Sequence, residues 1–381
     1  MQLKHLSIIN FKNIRSLDFE PAAKLTCLVG SNGEGKTNLL DALHLLSLCR
    51  SSVGLTDRQC ICHGEDYFLV KGTYEARENE EVIACGCTQQ EGKVFKRNGK
   101  TYERLADHVG LLPVVMVSPA DINLISDSGD ERRRYLNAAI AQHDKPYLDA
   151  ITRYNAVLQQ RNKLLKNPSP DCDVLEALDM QLNENAIPVF EKRTAFLEDL
   201  LPIFQAYYEK ISGAKERVEL RYKSDLQKGC FNALLKEHFL RDKTLQFTTV
   251  GVHRDELDMR LDGYPIRKLG SQGQQKTTLL ALKLAQAELL QRRIGVAPML
   301  LLDDIFDKLD LQRVKNLISV VSHGTFGQIF LTDSNKVRLD TLLHEVEWEY
   351  KVFEVKGGEF EENKELTAGN SLADSSLVGK S

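Results

Sequence analysis

The sequence predicts an α/β domain that is split in mid-chain by a helical insertion. Three observations carry this. A Gly-rich stretch, Gly30-Ser-Asn-Gly-Glu-Gly-Lys-Thr37, stands between an apolar strand pattern and a helix pattern. A second apolar run, Met299-Leu-Leu-Leu302, ends in the paired carboxylates Asp303 and Asp304. Between them, from Ser126 to Leu245, the chain turns to Leu, Ala, Glu, Gln, Lys and Arg with helical periodicity.

In chain order, Leu3–Phe11 reads as a strand and Arg15–Phe19 as its returning partner. Lys24–Val29 is a short apolar run ending at Gly30, which suits a buried strand, and Asn38–Cys49 is apolar at helical spacing. Tyr67 to Tyr102 predicts antiparallel strands with turns at Glu91-Gly92 and Asn98-Gly99, and Val114–Val117 predicts another buried strand. Helices are expected over 130–142, 146–166, 173–212 and 229–242, with a break at Asn167-Pro-Ser-Pro170. Strand texture returns at Phe247–Val252 and Leu257–Leu261. A long helix over Gln272–Arg293 follows, then a strand (Pro298–Leu302), a helix (Leu311–Ser322) and a strand (Gln328–Thr332). The Glu-, Ser- and Gly-rich end, residues 356–381, is expected to be disordered.

Composition narrows the class. The 381 residues are 42% hydrophobic and 27% charged with 24 Gly and 10 Pro, an ordinary globular balance. No apolar run approaches the ~18 residues that span a bilayer, so no membrane partner is expected. Eight Cys without an export signal predict reduced thiols in the cytoplasm. The net charge of −4 excludes a globally basic coat, so nucleic-acid binding needs a local patch. Residues 126–166 carry such an excess, eight Lys and Arg against five Asp and Glu.

The Gly-rich stretch matches G-x-x-x-x-G-K-[ST] in the required strand–loop–helix setting. Gly33 and Gly35 let backbone N–H groups turn in around phosphate oxygens, and the helix starting near Lys36 adds its positive end. Gly30, Ser31, Asn32, Gly33, Glu34, Gly35, Lys36, Thr37 and Asn38 are therefore expected to line ATP. Lys36 would reach the β- and γ-phosphates, and Thr37 with Asp303 would hold Mg²⁺. Asp304 is placed to orient or deprotonate the attacking water.

Gly270-Ser-Gln-Gly-Gln274, ahead of the long helix, resembles the signature motif of ABC-type ATPases, with Gln272 in place of a Gly. Asp304-Ile-Phe-Asp-Lys-Leu-Asp310 resembles the segment from the catalytic acid to the D-loop. Ile9-Asn-Phe-Lys-Asn13, Ser118-Pro-Ala-Asp121, Glu131-Arg-Arg-Arg-Tyr-Leu136, Gly251-Val-His-Arg-Asp-Glu-Leu257 and Ser271-Gln-Gly-Gln-Gln-Lys276 resemble the RecF family of SMC-like ATPases. The resemblance spans about residues 1–355. It implies an ABC-type P-loop ATPase head, a mixed sheet with flanking helices (1–125 plus 246–355), interrupted by a mostly helical lobe (126–245). It also implies an ATP-dependent homodimer in which Ser271, Gly273, Gln274 and Asp310 complete the partner's nucleotide site. The implied activity is binding to duplex and gapped DNA in replication and recombinational repair, with RecO and RecR helping RecA to assemble. Slow hydrolysis would act as the release switch.

This sequence departs from the ABC pattern. The acid after the Mg²⁺ aspartate is Asp304 instead of Glu. Thr332-Asp333-Ser334 stands where a switch histidine is usual, and no Gln-loop glutamine follows Val114–Val117. Slow turnover is the expectation that follows. Ser271 also suits a plain helix cap. Arg132, Arg133 and Arg134 read either as DNA contacts or as a solvated helix face, and Lys93, Lys96, Arg97, Lys100 and Arg104 as phosphate contacts or a soluble hairpin tip. His253-Arg254 suits the nucleotide, a lobe interface or an ion pair. Asn13 is placed near the adenine by resemblance. Cys60-x-Cys62 and Cys85-x-Cys87 lack the C-x₂₋₄-C spacing of structural zinc sites and read as core thiols. The alternative class is an ABC transporter's ATPase subunit, which the neutral helical insertion and the missing histidine disfavour.

Overall fold

The computed structural model describes residues 1–76, 79–127, 129–214, 216–324, 326–343 and 348–367. The chain forms two compact units, Met1–Ala120 with Leu290–Ser381, and Asp121–Leu289. The first half of the first unit runs β1 (Gln2–Phe11), β2 (Ile14–Phe19), β3 (Leu25–Val29), α1 (Lys36–Leu48), β4 (Tyr67–Ala76), β5 (Asn79–Thr88), β6 (Gly92–Arg97), β7 (Lys100–Thr101) and β8 (Val114–Val117). The second unit follows: α2 (Asn123–Ser126), α3 (Gly129–Ala141), α4 (Lys145–Leu165), α5 (Cys172–Ser212), β9 (Val218–Lys223), α6 (Phe231–Leu245), β10 (Glu256–Leu261), β11 (Tyr264–Pro265), α7 (Ile266–Leu269) and α8 (Gln272–Ile294). The chain then returns with β12 (Met299–Leu302), α9 (Leu311–His323), β13 (Ile329–Asp333), α10 (Lys336–Leu343), β14 (Tyr350–Lys356) and β15 (Glu359–Glu362).

Two sheets build the first unit. One has the order β15-β14-β3-β13-β12-β8, all parallel except the antiparallel β14–β15 hairpin. Every residue of β3, β8, β12 and β13 is buried, as expected for parallel strands covered on both faces, and this suits the unbroken apolar runs of β8 and β12 and the mostly apolar β3 and β13. The other sheet, β2-β1-β4-β5-β6-β7, is antiparallel throughout. Its strands alternate, so Ile83, Cys85 and Cys87 of β5 point inward. Leu39, Leu40, Leu43 and Leu46 of α1 join one core with residues of both sheets, which is why α1 is apolar nearly all round. The mixed sheet and flanking helices read from the sequence are the observed fold of this head.

The second unit packs α4 against α5 and carries the small antiparallel sheet β11-β10-β9. Asp144 caps α4 by accepting from the Tyr147 amide at 2.9 Å. Asp171 caps α5 at the amides of Asp173 and Val174, and Gly213 ends it at φ +74°. Asn167–Pro170 is the loop between these helices, where the break was expected.

Three expectations differ from the structure. Residues 126–245 do not bound the second unit, which spans Asp121–Leu289 because β9 pairs with β10 and most of α8 belongs to it. Phe247–Val252 is not a strand. The Thr248 amide is satisfied by Asn162 Oδ1 at 2.7 Å and the Thr249 amide by Asp242 Oδ1 at 2.9 Å, so side chains replace a ladder. The expected disordered end, 356–381, starts too early: β14 and β15 pair from Phe353 to Glu362 around the Gly357-Gly358 turn. Residues 368–381 lie outside the described residues.

Candidate functional site

The Gly-rich loop joins the carboxyl end of β3 to α1, so its amides converge at a helix N-terminus, a natural anion cradle. Gly30 is required by close approach, since a Cβ there would lie 2.3 Å from the Val355 carbonyl oxygen on β14. Gly35 caps α1 at φ +119°, a conformation that side chains resist. Asn13, at the β1–β2 turn, accepts from Asn38 Nδ2 at 2.7 Å and donates to the Glu34 carbonyl at 3.1 Å. The Gly358 amide donates to the same carbonyl at 2.8 Å, so two hairpin turns brace the loop from outside.

Lys36 is buried. Its ammonium donates to the carbonyls of Gly30 at 2.7 Å and Ser31 at 2.9 Å, within the loop it would serve. Thr37 Oγ1 lies 2.8 and 3.0 Å from the two carboxylate oxygens of Asp303 at the end of β12. Thr332, fully buried on β13, donates its hydroxyl to Asp303 Oδ1 at 2.7 Å and accepts from the Asp304 amide at 2.9 Å. Burial raises the Asp303 pKa above the usual carboxylate range, with the Asp304 charge adding and the Thr332 and Thr37 hydrogen bonds opposing. The two adjacent carboxylates with the Thr37 hydroxyl form a donor set of oxygens that fits a divalent cation such as Mg²⁺. Asp304 sits at φ +43°, an uncommon backbone for a residue with a side chain. Among the described residues no cluster of three or more His, Cys, Asp or Glu forms a separate metal site.

The signature residues open α8. Ser271 Oγ accepts from the Gln274 amide at 3.2 Å, and Gln274 Oε1 accepts from the Ser271 amide at 2.7 Å, a reciprocal capping box. Ser271 and Gln272 are exposed, and Gly273 and Gln274 are half-buried; Gln274 also donates to Glu216 Oε1 at 3.1 Å. Asp310 caps α9 through the Arg313 amide at 2.8 Å and keeps 63% of its side chain exposed.

The arginine run does not fit a shared DNA-contacting face. Arg132 is buried, pairs with Glu256 and donates to the Leu124 carbonyl. Arg133 pairs with Asp130 and donates to the Asp255 carbonyl at 2.8 Å. Only Arg134 is exposed, pairing with Glu131 at 2.7 Å. His253 accepts from the Tyr154 hydroxyl at 2.7 Å through Nδ1 and donates to the Thr248 carbonyl through Nε2. Asp255 pairs with Arg193 at 2.5 Å. Both are internal ties of the second unit. Lys93 and Arg97 likewise pair with Asp57 and Glu81, while Lys96 and Lys100 are exposed. Burial pushes the Cys60 thiol up to about 11, so it stays protonated. The sequence marks Thr332 only as part of the stretch replacing the switch histidine, and does not single out Arg338 or the Gly357-Gly358 turn.

The family described as RecF/RecN/SMC N terminal domain matches residues 2–359. The DNA replication and repair protein RecF of Bacteroides fragilis is 47% identical over 96% of this chain and 99% of its own, and that of Flavobacterium johnsoniae is 42% identical over 93% and 99%. The chain belongs to the RecF family. A solved recombination mediator, RecF-ATP of the RecFOR pathway, is 30% identical with a TM-score of 0.84, covering 95% of this chain and 97% of that one. An Smc head bound to the C-winged helix domain of ScpA, 16% identical with a TM-score of 0.55 over 95% and 98% of the two chains, shares the fold. No helix among the described residues of this RecF-family chain is long and apolar enough to cross a membrane.

Proposed function

We propose that this chain is an ATP-dependent DNA-binding protein of replication and recombinational repair that grips gapped or duplex DNA as an ATP-closed dimer. Slow hydrolysis releases the DNA, and RecO and RecR are the partners with which it helps RecA assemble. The observation that carries the reading is Thr37 bonded to both oxygens of Asp303, which brings the phosphate loop and the paired acids to one point.

ATP supplies the γ-phosphate and Mg²⁺ the charge that neutralises it; the rest is done by residues of the chain. Lys36 exchanges the Gly30 and Ser31 carbonyls for phosphate oxygens, a charge-assisted gain over neutral acceptors. Thr37 and Asp303 would hold the cation. Asp304 accepts the hydrogen bond of the attacking water, and its shorter reach than Glu suits a slow switch. Ser271, Gly273 and Gln274 present a helix N-terminus to the partner's nucleotide, with Asp310 nearby in sequence to the acids.

A binding titration on gapped, duplex and single-stranded DNA, with and without ATP, tests this. Affinity should require ATP, vanish in Lys36→Met and fall steeply with salt, because backbone contacts release counterions. ATP-independent binding, or an affinity equal at low and physiological salt, would refute it.

A further inference from the structure

The switch histidine is missing, yet the end of β13 is not without charge. Asp333 pairs with Val29 across the sheet, and its carbonyl accepts from the Gly30 amide at 3.3 Å, at the entrance to the phosphate loop. Its side chain is fully buried. One carboxylate oxygen takes the Asn335 amide at 2.8 Å and Arg338 Nη2 at 2.6 Å, and the other takes Arg338 Nε at 2.8 Å. Arg338 reaches back from α10 in a bidentate fork that lysine cannot reproduce. Its guanidinium also lies 5.8 Å from the centre of the Phe306 ring, two residues beyond Asp304. Asp304 and Asp307 are near enough for their charges to favour the charged form of Arg338, after Asp333 itself. The preceding residue, Thr332, is the one that holds Asp303 and the Asp304 amide.

We propose that Arg338 is a positioning residue for ATP hydrolysis, fixing the Asp304–Phe306 segment through its contact with the Phe306 ring and its charge, from the helix that follows the strand end where ABC ATPases carry their switch histidine. Asp333 anchors the guanidinium, the Phe306 ring lies against it, and Thr332 holds the backbone amide of the acid that orients water. The inference rests on the reading of Asp304 given above. It also accounts for a chain with no histidine at that strand end: the positive charge comes from the next helix instead.

The test compares Arg338→Gln, Arg338→Lys and Asp304→Asn in the full chain. Phosphate release gives turnover, and titration with a fluorescent non-hydrolysable ATP analogue gives nucleotide affinity. The single tryptophan, Trp348, lines a small apolar cavity with Leu339 and Leu343 of α10, so its emission reports whether that helix stays in place. Arg338→Gln should lower turnover roughly tenfold or more, with analogue affinity within about twofold and Trp348 emission unchanged. Arg338→Lys should recover part of the loss, since charge returns without the fork. Unaltered turnover in Arg338→Gln while Asp304→Asn is inactive would overturn the proposal alone. So would equal losses of turnover in both Arg338 variants with shifted Trp348 emission, which would mark a purely structural pair. Full turnover in Asp304→Asn would remove the underlying reading, whatever Arg338 does.

Discussion

Thr332 concentrates several demands in one hydroxyl. It donates to Asp303 and accepts from the Asp304 amide, and it is fully buried. Replacing it by valine keeps the shape and the β preference but leaves the part-buried Asp304 N–H without this acceptor, while Asp303 Oδ1 keeps only the Thr37 hydroxyl as donor. Thr332→Val should therefore destabilise by about 1–3 kcal/mol for the amide left without its acceptor, read as a lower urea midpoint at unchanged slope. It should also slow phosphate release more than it weakens nucleotide binding. A midpoint equal to that of the parent would show that the amide finds another partner. Such a residue is not singled out by sequence alone, because a threonine near the end of an apolar strand looks like any other β-branched filler.

At the scale of elements, α1 depends on a histidine from outside it. The Leu46 carbonyl in its last turn has no successor amide to bond, and His108 Nε2 donates to it at 2.6 Å while Nδ1 accepts from the Tyr102 hydroxyl at 3.1 Å. Both bonds suit a neutral ring, and burial holds the His108 pKa at about 4 against an ordinary 6.5. Between those values the unfolded chain binds the proton and the folded one does not, so stability is full above pH 6.5 and falls as pH drops toward 4. The loss reaches up to about 3 kcal/mol at 1.36 kcal/mol per unit. His108→Gln, which can still donate to Leu46, should flatten the melting temperature between pH 6.5 and 4 relative to the parent. Equal pH profiles would mean that His108 is not the source.

Elements were legible where pattern and environment agreed. The buried runs of β3, β8 and β12 stand out because parallel strands covered on both faces need no polar residue. The Gly-rich loop and the two acids, which the structure brings together at Thr37 and Asp303, were legible because their residue types stand at a fixed spacing in a strand–loop–helix setting. β9 was missed although Val218, Leu220 and Tyr222 alternate, since a long helical context outweighed six residues. The Glu-rich β15 looked like a tail, yet it pairs with β14, and the turn between them braces Glu34. Arg132 shows the converse: an arginine cluster suggests phosphate contacts, but burial and Glu256 claim its first member.

For the whole molecule, a net charge of −4 argues little about DNA, because steering depends on where charges lie and on what is assembled. The phosphate loop with its acids belongs to one compact unit and the signature cap to the other, so assembly can be tested separately from nucleotide binding. Ser271→Arg removes a helix cap and places a bulky cation at the positive end of α8. The cap alone is worth about 1 kcal/mol, so Ser271→Ala serves as the control for that part. Both variants should bind ATP as the parent does. Gel filtration with ATP should show a dimer for Ser271→Ala and a monomer for Ser271→Arg, and only the latter should lose ATP-dependent DNA binding. If Ser271→Arg still dimerises with ATP, the signature cap does not face the partner's nucleotide, and closure must come from another surface.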